Sequence, residues 1–106
     1  MTPLGIVAVA LALGVTAAGA SLWAPTAPRV VTIDKLAFGA SPGGLHVGDA
    51  VEWVNRDIFQ HSVTGAGFDL DLKPGGRGRL IVTGAGVVPY LCRYHPGMKA
   101  KIVIAP

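Results

Sequence analysis

The sequence predicts one all-β domain, a sandwich or barrel of about seven short strands. From residue 30 onward, short runs rich in β-branched residues alternate with segments of turn-forming residues. Many of the 15 glycines and eight prolines lie in those segments, so the predicted strands follow one another at close spacing. No stretch of this region has the apolar spacing of a convincing amphipathic helix.

The first three predicted strands are residues 30–33, 45–47 and 50–55. Every residue of the first is β-branched, which favours an extended backbone. The second is short and lies between Ser-Pro-Gly-Gly and Gly-Asp, both of which are turn signals. The third alternates, with Val51 and Trp53 on one face and Glu52 on the other, as in a half-buried strand.

The remaining predicted strands are residues 61–64, 79–83, 87–92 and 99–104. The loop Lys-Pro-Gly-Gly-Arg-Gly lies between strands 61–64 and 79–83, and Gly-Ala-Gly lies between strands 79–83 and 87–92. In strand 87–92, Val88, Tyr90 and Cys92 share a face, so the cysteine should point inward. In the last strand Ile102 and Ile104 share the inner face in the same way.

The first 28 residues contain no Lys, Arg, Asp or Glu. Residues 4–20 are an unbroken apolar and small-residue run that ends in Ala-Gly-Ala, a signal-peptidase cleavage pattern before Ser21. We therefore expect a signal peptide over residues 1–20, a linker over residues 21–29 and one domain over residues 30–106.

An uncleaved membrane anchor is the alternative for the N-terminal segment. Residues 4–23 are uncharged and long enough to cross a bilayer, and Trp23 would lie at the interface. The lack of Lys or Arg near Met1 is unusual for a signal peptide. Both interpretations place the domain outside the cytoplasm, in the periplasm.

The charges exclude one class of function and favour one class of partner. The formal net charge is +3, and all charged residues lie between Arg29 and Lys101. No dense cluster of Lys and Arg with interleaved aromatic residues occurs, so nucleic-acid binding is not expected. A positively charged domain favours an acidic encounter partner.

Three residues with metal-binding side chains follow one another at the end of the predicted strand 87–92. Cys92 is the only cysteine of the chain, and His95 and Met98 follow at spacings of three and three. A thiolate, an imidazole and a thioether together suit copper, which electron-transfer proteins hold with one Cys, two His and a weak axial Met. A buried inert cysteine and a core methionine are the alternatives.

Such a copper site needs a second imidazole ligand besides His95, and the candidates are His61 and His46. His61 alternates in register with Val63 and should face the core, although a lone core histidine often has a purely structural role. His46 lies between Leu45 and Val47, which should both face inward, so His46 should face solvent. We therefore expect His61 to complete the site.

Residues 30–106 resemble the cupredoxins, the small blue copper proteins. The resemblance rests on Val-Gly-Asp at 47–49, Val-Glu-Trp-Val-Asn at 51–55, His-Ser-Val-Thr at 61–64, Lys-Pro-Gly at 73–75 and the motif Tyr-x-Cys-x-x-His-Pro-x-Met at 90–98. The two-residue gaps around His95 resemble those of amicyanins. Gly97 and Ser62 depart from the pattern, since an aromatic residue and an asparagine are frequent there.

The resemblance implies a Greek-key β-sandwich with one copper ion that alternates between Cu(II) and Cu(I). It implies the ligands His61, Cys92, His95 and Met98, and a hydrogen bond from the Ser62 backbone to the Cys92 sulfur. Trp53, Tyr90 and Phe68 are expected to be core aromatic residues. Arg93, Lys99 and Lys101 flank the metal loop, where they would orient a partner or keep a strand edge soluble.

The resemblance also implies a periplasmic one-electron shuttle, with a periplasmic dehydrogenase or a c-type cytochrome as transient partner. A self-contained copper oxidase or nitrite reductase is not expected, because such enzymes need more than the three histidines present. Copper delivery or storage without electron transfer is the alternative function.

Overall fold

The computed structural model of the protein describes residues 27–106. The predicted signal or anchor segment and most of the predicted linker lie outside the described residues. Nine strands are present: β1 (Arg29–Asp34), β2 (Ala37–Phe38), β3 (Leu45–His46), β4 (Ala50–Asn55), β5 (His61–Gly65), β6 (Phe68–Leu72), β7 (Arg77–Ile81), β8 (Gly86–Leu91) and β9 (Lys99–Ala105). No helix of residues 27–106 is long and apolar enough to span a bilayer.

The predicted all-β architecture is confirmed, with two strands more than the seven expected. The additional strands are β2, which has two residues, and β6, whose sequence is Phe-Asp-Leu-Asp-Leu. The alternation of apolar and acidic residues in β6 indicates a half-buried strand, but aspartate is depleted in strands and the segment was not predicted as one. In the structure Asp69 and Asp71 lie on the exposed face of β6, while Leu72 is buried in the core.

Two sheets form the sandwich. The first has the strand order β2-β1-β4-β7, and the second has the order β3-β9-β8-β5-β6. The pairs β1–β4 and β3–β9 are parallel, and the other pairs are antiparallel. The neighbours β1–β4, β4–β7, β3–β9 and β5–β8 are thus separated by other strands in the sequence, and the chain crosses repeatedly between the two sheets.

The core lies between the two sheets and contains the residues predicted to face inward. Trp53 and Tyr90 are buried from opposite sheets, and their rings pack edge to face with centroids 5.4 Å apart. Ile102 is fully buried, and Ile104 nearly so. Phe68 is half-buried against this core, so the three predicted core aromatic residues are confirmed.

One end of the sandwich is held together by bonds between loops. Asn55, the last residue of β4, exchanges backbone hydrogen bonds of 2.8 and 2.9 Å with the loop before β7. The turn between β1 and β2 places Lys35 and Leu36 in the left-handed region, with φ values of 50° and 58°. This costs free energy for residues other than glycine, and bonds to neighbouring groups compensate. The Leu36 N–H donates to Oδ2 of Asp57 at 2.9 Å.

Candidate metal centre

Three predicted ligands converge at this end of the sandwich. His61 is the first residue of β5, Cys92 directly follows β8, and His95 lies in the loop after it. Nδ1 of His61 is 3.7 Å from the Cys92 sulfur, and Nδ1 of His95 is 3.9 Å from it. One potential ligand atom from each of the three residues lies within 4.8 Å of those of the other two. His61 and Cys92 are fully buried, whereas His95 is half-buried.

These distances fit a small metal ion bound in a plane of two nitrogens and one sulfur. With metal–nitrogen bonds of about 2.1 Å and metal–sulfur bonds of about 2.3 Å, trigonal geometry separates nitrogen from sulfur by about 3.8 Å. The observed 3.7 and 3.9 Å lie on either side of that value. One thiolate with two imidazoles is also the donor set that favours copper.

Met98 closes the loop that begins at Cys92. The Cys92 N–H donates to the Met98 carbonyl at 3.1 Å, and the Met98 N–H donates to the His95 carbonyl at 2.8 Å. The Met98 side chain is 7% exposed and belongs to the core cluster that includes Cys92. Core packing of Met98 is thus observed, and its role as a copper ligand stays a prediction.

Ser62 supports the cysteine sulfur as the resemblance implied. Its backbone N–H donates to the Cys92 sulfur at 3.4 Å, and its Oγ accepts the N–H of Arg93 at 2.8 Å. Burial alone would raise the pKa of the thiol. The hydrogen bonds from Ser62, His61 and His95 outweigh burial and lower the pKa of Cys92 to about 6. The site therefore favours a thiolate, the form that binds metal.

Asp57 orients the His61 ring. Its Oδ2 lies 2.8 Å from His61 Nε2, and its two oxygens also accept the backbone N–H groups of Leu36 and Ile58. The bond with His61, followed by that with Leu36, lowers the pKa of Asp57. A carboxylate at Nε2 fixes the proton there and leaves the Nδ1 lone pair directed at the site.

The same contacts affect the imidazole itself. Burial favours the neutral ring, but the hydrogen bonds with Asp57 and Cys92 outweigh burial and raise the pKa of His61. Metal binding at Nδ1 would therefore displace a proton that the metal-free site holds more firmly than free imidazole does.

Two polar residues that support the site were missed in the sequence, where Asn55 was placed at the end of the predicted strand 50–55 and Asp57 was given no role. Asn55 is fully buried, and its Nδ2 donates to the carbonyls of Phe59 and Leu72 at 2.8 and 3.0 Å. Its Oδ1 accepts the N–H of Asp57 at 2.9 Å. A signal for Asn55 existed, because it continues the inward alternation of Val51 and Trp53. No local pattern identified Asp57.

His46 lies outside the site, as expected. It is exposed, and its Nδ1 is 3.1 Å from the carbonyl of Gly44. The expectation that Val47 faces inward is wrong, since that side chain is 45% exposed. The strand β3 ends at His46, and the turn that follows with Gly48 at φ 97° ends the alternation.

The surface near His95 is apolar with cations at its rim. Phe59 packs near the His95 ring with centroids 6.0 Å apart, and Ile58 is 81% exposed. Lys35 and Arg56 lie in the adjoining turn and loop, and neither forms an ion pair with any described residue. The exposed side chains of Ile58 and Phe59 therefore give the surface beside His95 an apolar character.

Comparison with known proteins gives a consistent group of relatives, although no family model matches the chain. Amicyanin-alpha of Methylorubrum extorquens is 29% identical over 89 residues, which cover 76% of this chain and 75% of the relative. Amicyanin of Paracoccus denitrificans is 31% identical over 83 residues, which cover 71% of this chain and 63% of the relative.

Solved structures give the same result. A variant of amicyanin in its reduced Cu(I) form at pH 4 is 32% identical, with a TM-score of 0.64 over 79% of this chain and 88% of that chain. A copper-containing nitrite reductase from Thermus scotoductus is 26% identical with a TM-score of 0.71, but only 23% of its chain is covered. The likeness to amicyanin thus extends over most of both chains.

Proposed function

Since the chain belongs to the cupredoxins, the small blue copper proteins that include amicyanin, we propose that it is a one-electron carrier with a single copper ion. The proposed ligands are His61, Cys92, His95 and Met98. The observation that supports this most strongly is the convergence of the three nitrogen and sulfur donors within 4.8 Å. Copper supplies the exchange between Cu(II) and Cu(I), and the protein supplies its geometry.

The protein contributes a rigid donor set. His61 is oriented by Asp57, and the Cys92 sulfur receives the Ser62 N–H. Because these bonds join β5, β8 and the loops at one end of a packed sandwich, the donors would move little between the two oxidation states. A small rearrangement is what fast electron transfer requires of a site. The hydrogen bond to sulfur withdraws charge and so favours the reduced state.

His95 is the proposed point of electron exchange with partners. It is half-buried while His61 and Cys92 are fully buried, so its ring provides the most accessible ligand. The exposed side chains of Ile58 and Phe59 beside it can form a small apolar contact, as transient redox complexes do.

The proposed partners are redox proteins outside the cytoplasm, such as a periplasmic dehydrogenase or a c-type cytochrome. The similarity to amicyanins and the predicted signal peptide support the periplasmic location. Lys35 and Arg56 near the site favour a partner surface with acidic groups at its rim.

Catalysis is not part of the proposal. The nitrite reductase that shares the fold is more than four times as long as the matched region, since that region covers 23% of its chain. Copper delivery or storage remains the alternative function, and it requires copper to leave the site readily. The buried donors argue against ready release, because only His95 is accessible.

The test is the visible spectrum of the protein with Cu(II). We expect an intense sulfur-to-copper charge-transfer band and reversible one-electron cycling in the wild type. Cys92→Ala should abolish the band, and His61→Ala should abolish or strongly shift it. His46→Ala is the matched control, because His46 is an exposed histidine outside the site, and its band should be unchanged.

Two results would reject the proposal. The first is a colourless copper complex of the wild type, and the second is colour that survives Cys92→Ala. Delivery would be favoured instead if copper passed to an acceptor protein or chelator faster than electrons passed to a redox reagent.

A further inference from the structure

The two residues between the ligands Cys92 and His95 are held on the outer face of β6. Arg93 Nε donates to Asp69 Oδ1 at 3.0 Å. The Tyr94 hydroxyl lies 3.1 Å from both oxygens of Asp71 and donates to this carboxylate. The two aspartates project from β6 on the side away from the core. They therefore hold the metal loop from the outer face of this strand.

The bonds around Asp69 form a closed ring. The Arg93 N–H donates to Ser62 Oγ at 2.8 Å, and Ser62 Oγ lies 2.8 Å from Thr64 Oγ1. Thr64 in turn donates to Asp69 Oδ1 at 2.7 Å, which also accepts from the Arg93 side chain. The backbone of Arg93 is therefore bonded to β5 and its side chain to the neighbouring strand β6, and each hydroxyl can donate in the same direction.

Asp71 connects the surroundings of both histidines. Gln60, the residue before His61, donates from Nε2 to Asp71 Oδ1 at 2.9 Å. The same Nε2 lies 3.3 Å from the Tyr94 hydroxyl, and Tyr94 precedes His95. The neighbours of His61 and His95 thus meet on one carboxylate at the surface of β6.

We propose that Asp69 and Asp71 are positioning residues that hold Arg93 and Tyr94 and thereby keep Cys92 and His95 in the metal-binding arrangement before metal arrives. The inference rests on the proposed function of these ligands. Apart from this network, the described hydrogen bonds of the loop are those at the Cys92 sulfur and the two backbone bonds that close the loop at Met98. The network is thus the main restraint on the half of the loop that contains Arg93 and Tyr94.

The alternative to a positioning role is that these contacts are ordinary solvated ion pairs with no effect on the loop. A single exposed pair contributes little because solvent screens it and ordering the side chains costs entropy. The network differs because its bonds share partners and because Arg93 is bonded through both its backbone and its side chain. Its effect should therefore be local, on the loop, rather than on global stability.

The chain offers a matched control. On the other sheet Glu52 accepts from Arg77 and Arg79 at 3.3 Å each, and both arginines are exposed. Glu52→Gln weakens two arginine–carboxylate pairs that do not contact the metal loop, although the Glu52 side chain is 14% exposed and those of Asp69 and Asp71 are 49% and 48% exposed. A double variant with Asp69→Asn and Asp71→Asn removes both charges and one acceptor oxygen from each side chain, which weakens the network while preserving side-chain size.

The experiment is amide hydrogen exchange, followed by NMR, on the metal-free protein as isolated. We expect the amides of Arg93, Tyr94 and His95 to exchange about threefold to tenfold faster in the double variant, with core amides of β8 and β9 unchanged. In the copper-loaded protein we expect electron self-exchange to slow by about threefold, because a looser loop rearranges more. Glu52→Gln should change neither quantity.

Unchanged loop exchange in the double variant, or an equal change in Glu52→Gln, would overturn the positioning role. If the double variant also lost protection in the core, Asp71→Asn alone would repeat the comparison with a smaller perturbation. The metal-free readout does not depend on copper chemistry, whereas a wild type without the charge-transfer band would contradict the proposed function and not the loop restraint.

Discussion

A carboxylate oxygen of Asp57 lies 2.8 Å from Nε2 of His61, and both side chains are buried or nearly so. The pair decides which nitrogen of His61 carries the proton and which faces Cys92. Since the backbone of Leu36 donates to the same oxygen, the turn between β1 and β2 is connected to the metal site through a single carboxylate.

The first prediction concerns this carboxylate. Asp57→Asn keeps the size of the side chain but removes its charge and one of its acceptors. We expect copper affinity to fall about 10- to 100-fold, as for other groups that orient a ligating histidine. Competition with a chelator of known affinity measures it. Asp34→Asn, at an exposed aspartate of the neighbouring turn, should retain wild-type affinity, and equal affinity for both variants would contradict the role of Asp57.

The second prediction concerns the buried amide of Asn55. Asn55→Ala leaves the carbonyls of Phe59 and Leu72 and the N–H of Asp57 without their partner. We expect a loss of about 1–3 kcal/mol in the free energy of unfolding, measured by chemical denaturation of the metal-free protein. Ser41→Ala removes an exposed hydrogen bond to the Lys101 carbonyl and should cost less than about 0.5 kcal/mol. A similar loss in both variants would show that Asn55 has no special role.

The contrast between the cysteine motif and the polar residues of the β4–β5 loop shows what the sequence can reveal. Cys92, His95 and Met98 are close in the chain, so their shared chemistry is visible directly. His61 lies 31 residues from Cys92, and its inclusion depended on alternation with Val63 and on excluding His46. The structure places three of these side chains together, and their role as copper ligands stays a prediction.

The role of Asp57 could not be predicted from the sequence for a different reason. The partner of Asp57 is a histidine whose ring orientation depends on tertiary packing, so no local spacing specifies the pair. In β6 the alternation of Phe-Asp-Leu-Asp-Leu was visible and was missed, whereas no local pattern shows that its aspartates bond Arg93 and Tyr94 of a distant loop.

The third prediction concerns stability with and without metal. A ligand that binds only the folded state stabilises it, and copper at 100 times its dissociation constant would contribute about 2.7 kcal/mol. We expect the thermal midpoint to rise on adding Cu(II) and to return on chelation. Cys92→Ala should show little of this rise. An equal rise in Cys92→Ala would indicate that copper binds elsewhere on the protein.

The fourth prediction concerns the cations near His95. Replacing Lys35 and Arg56 by glutamine should slow reduction of the copper protein by an anionic one-electron reagent, by about twofold to tenfold at low salt. The difference should shrink as salt is added, because exposed charges are screened over about 10 Å at 0.1 M. Stopped-flow mixing measures the rates. An Arg29→Gln variant, altered at the opposite end of β1 from the turn that contains Lys35, should differ less, and equal slowing would refute a local effect.

The parallel pairing of β1 with β4 and of β3 with β9 has a kinetic consequence. Such pairs join segments far apart along the chain, so large loops must close before either pairing is stable. Folding should accordingly be slow for a domain of this size. His61 and Cys92 come from strands that meet only when the second sheet assembles. The metal site should therefore form late in folding, and before that stage the donor atoms would be too far apart to bind one ion.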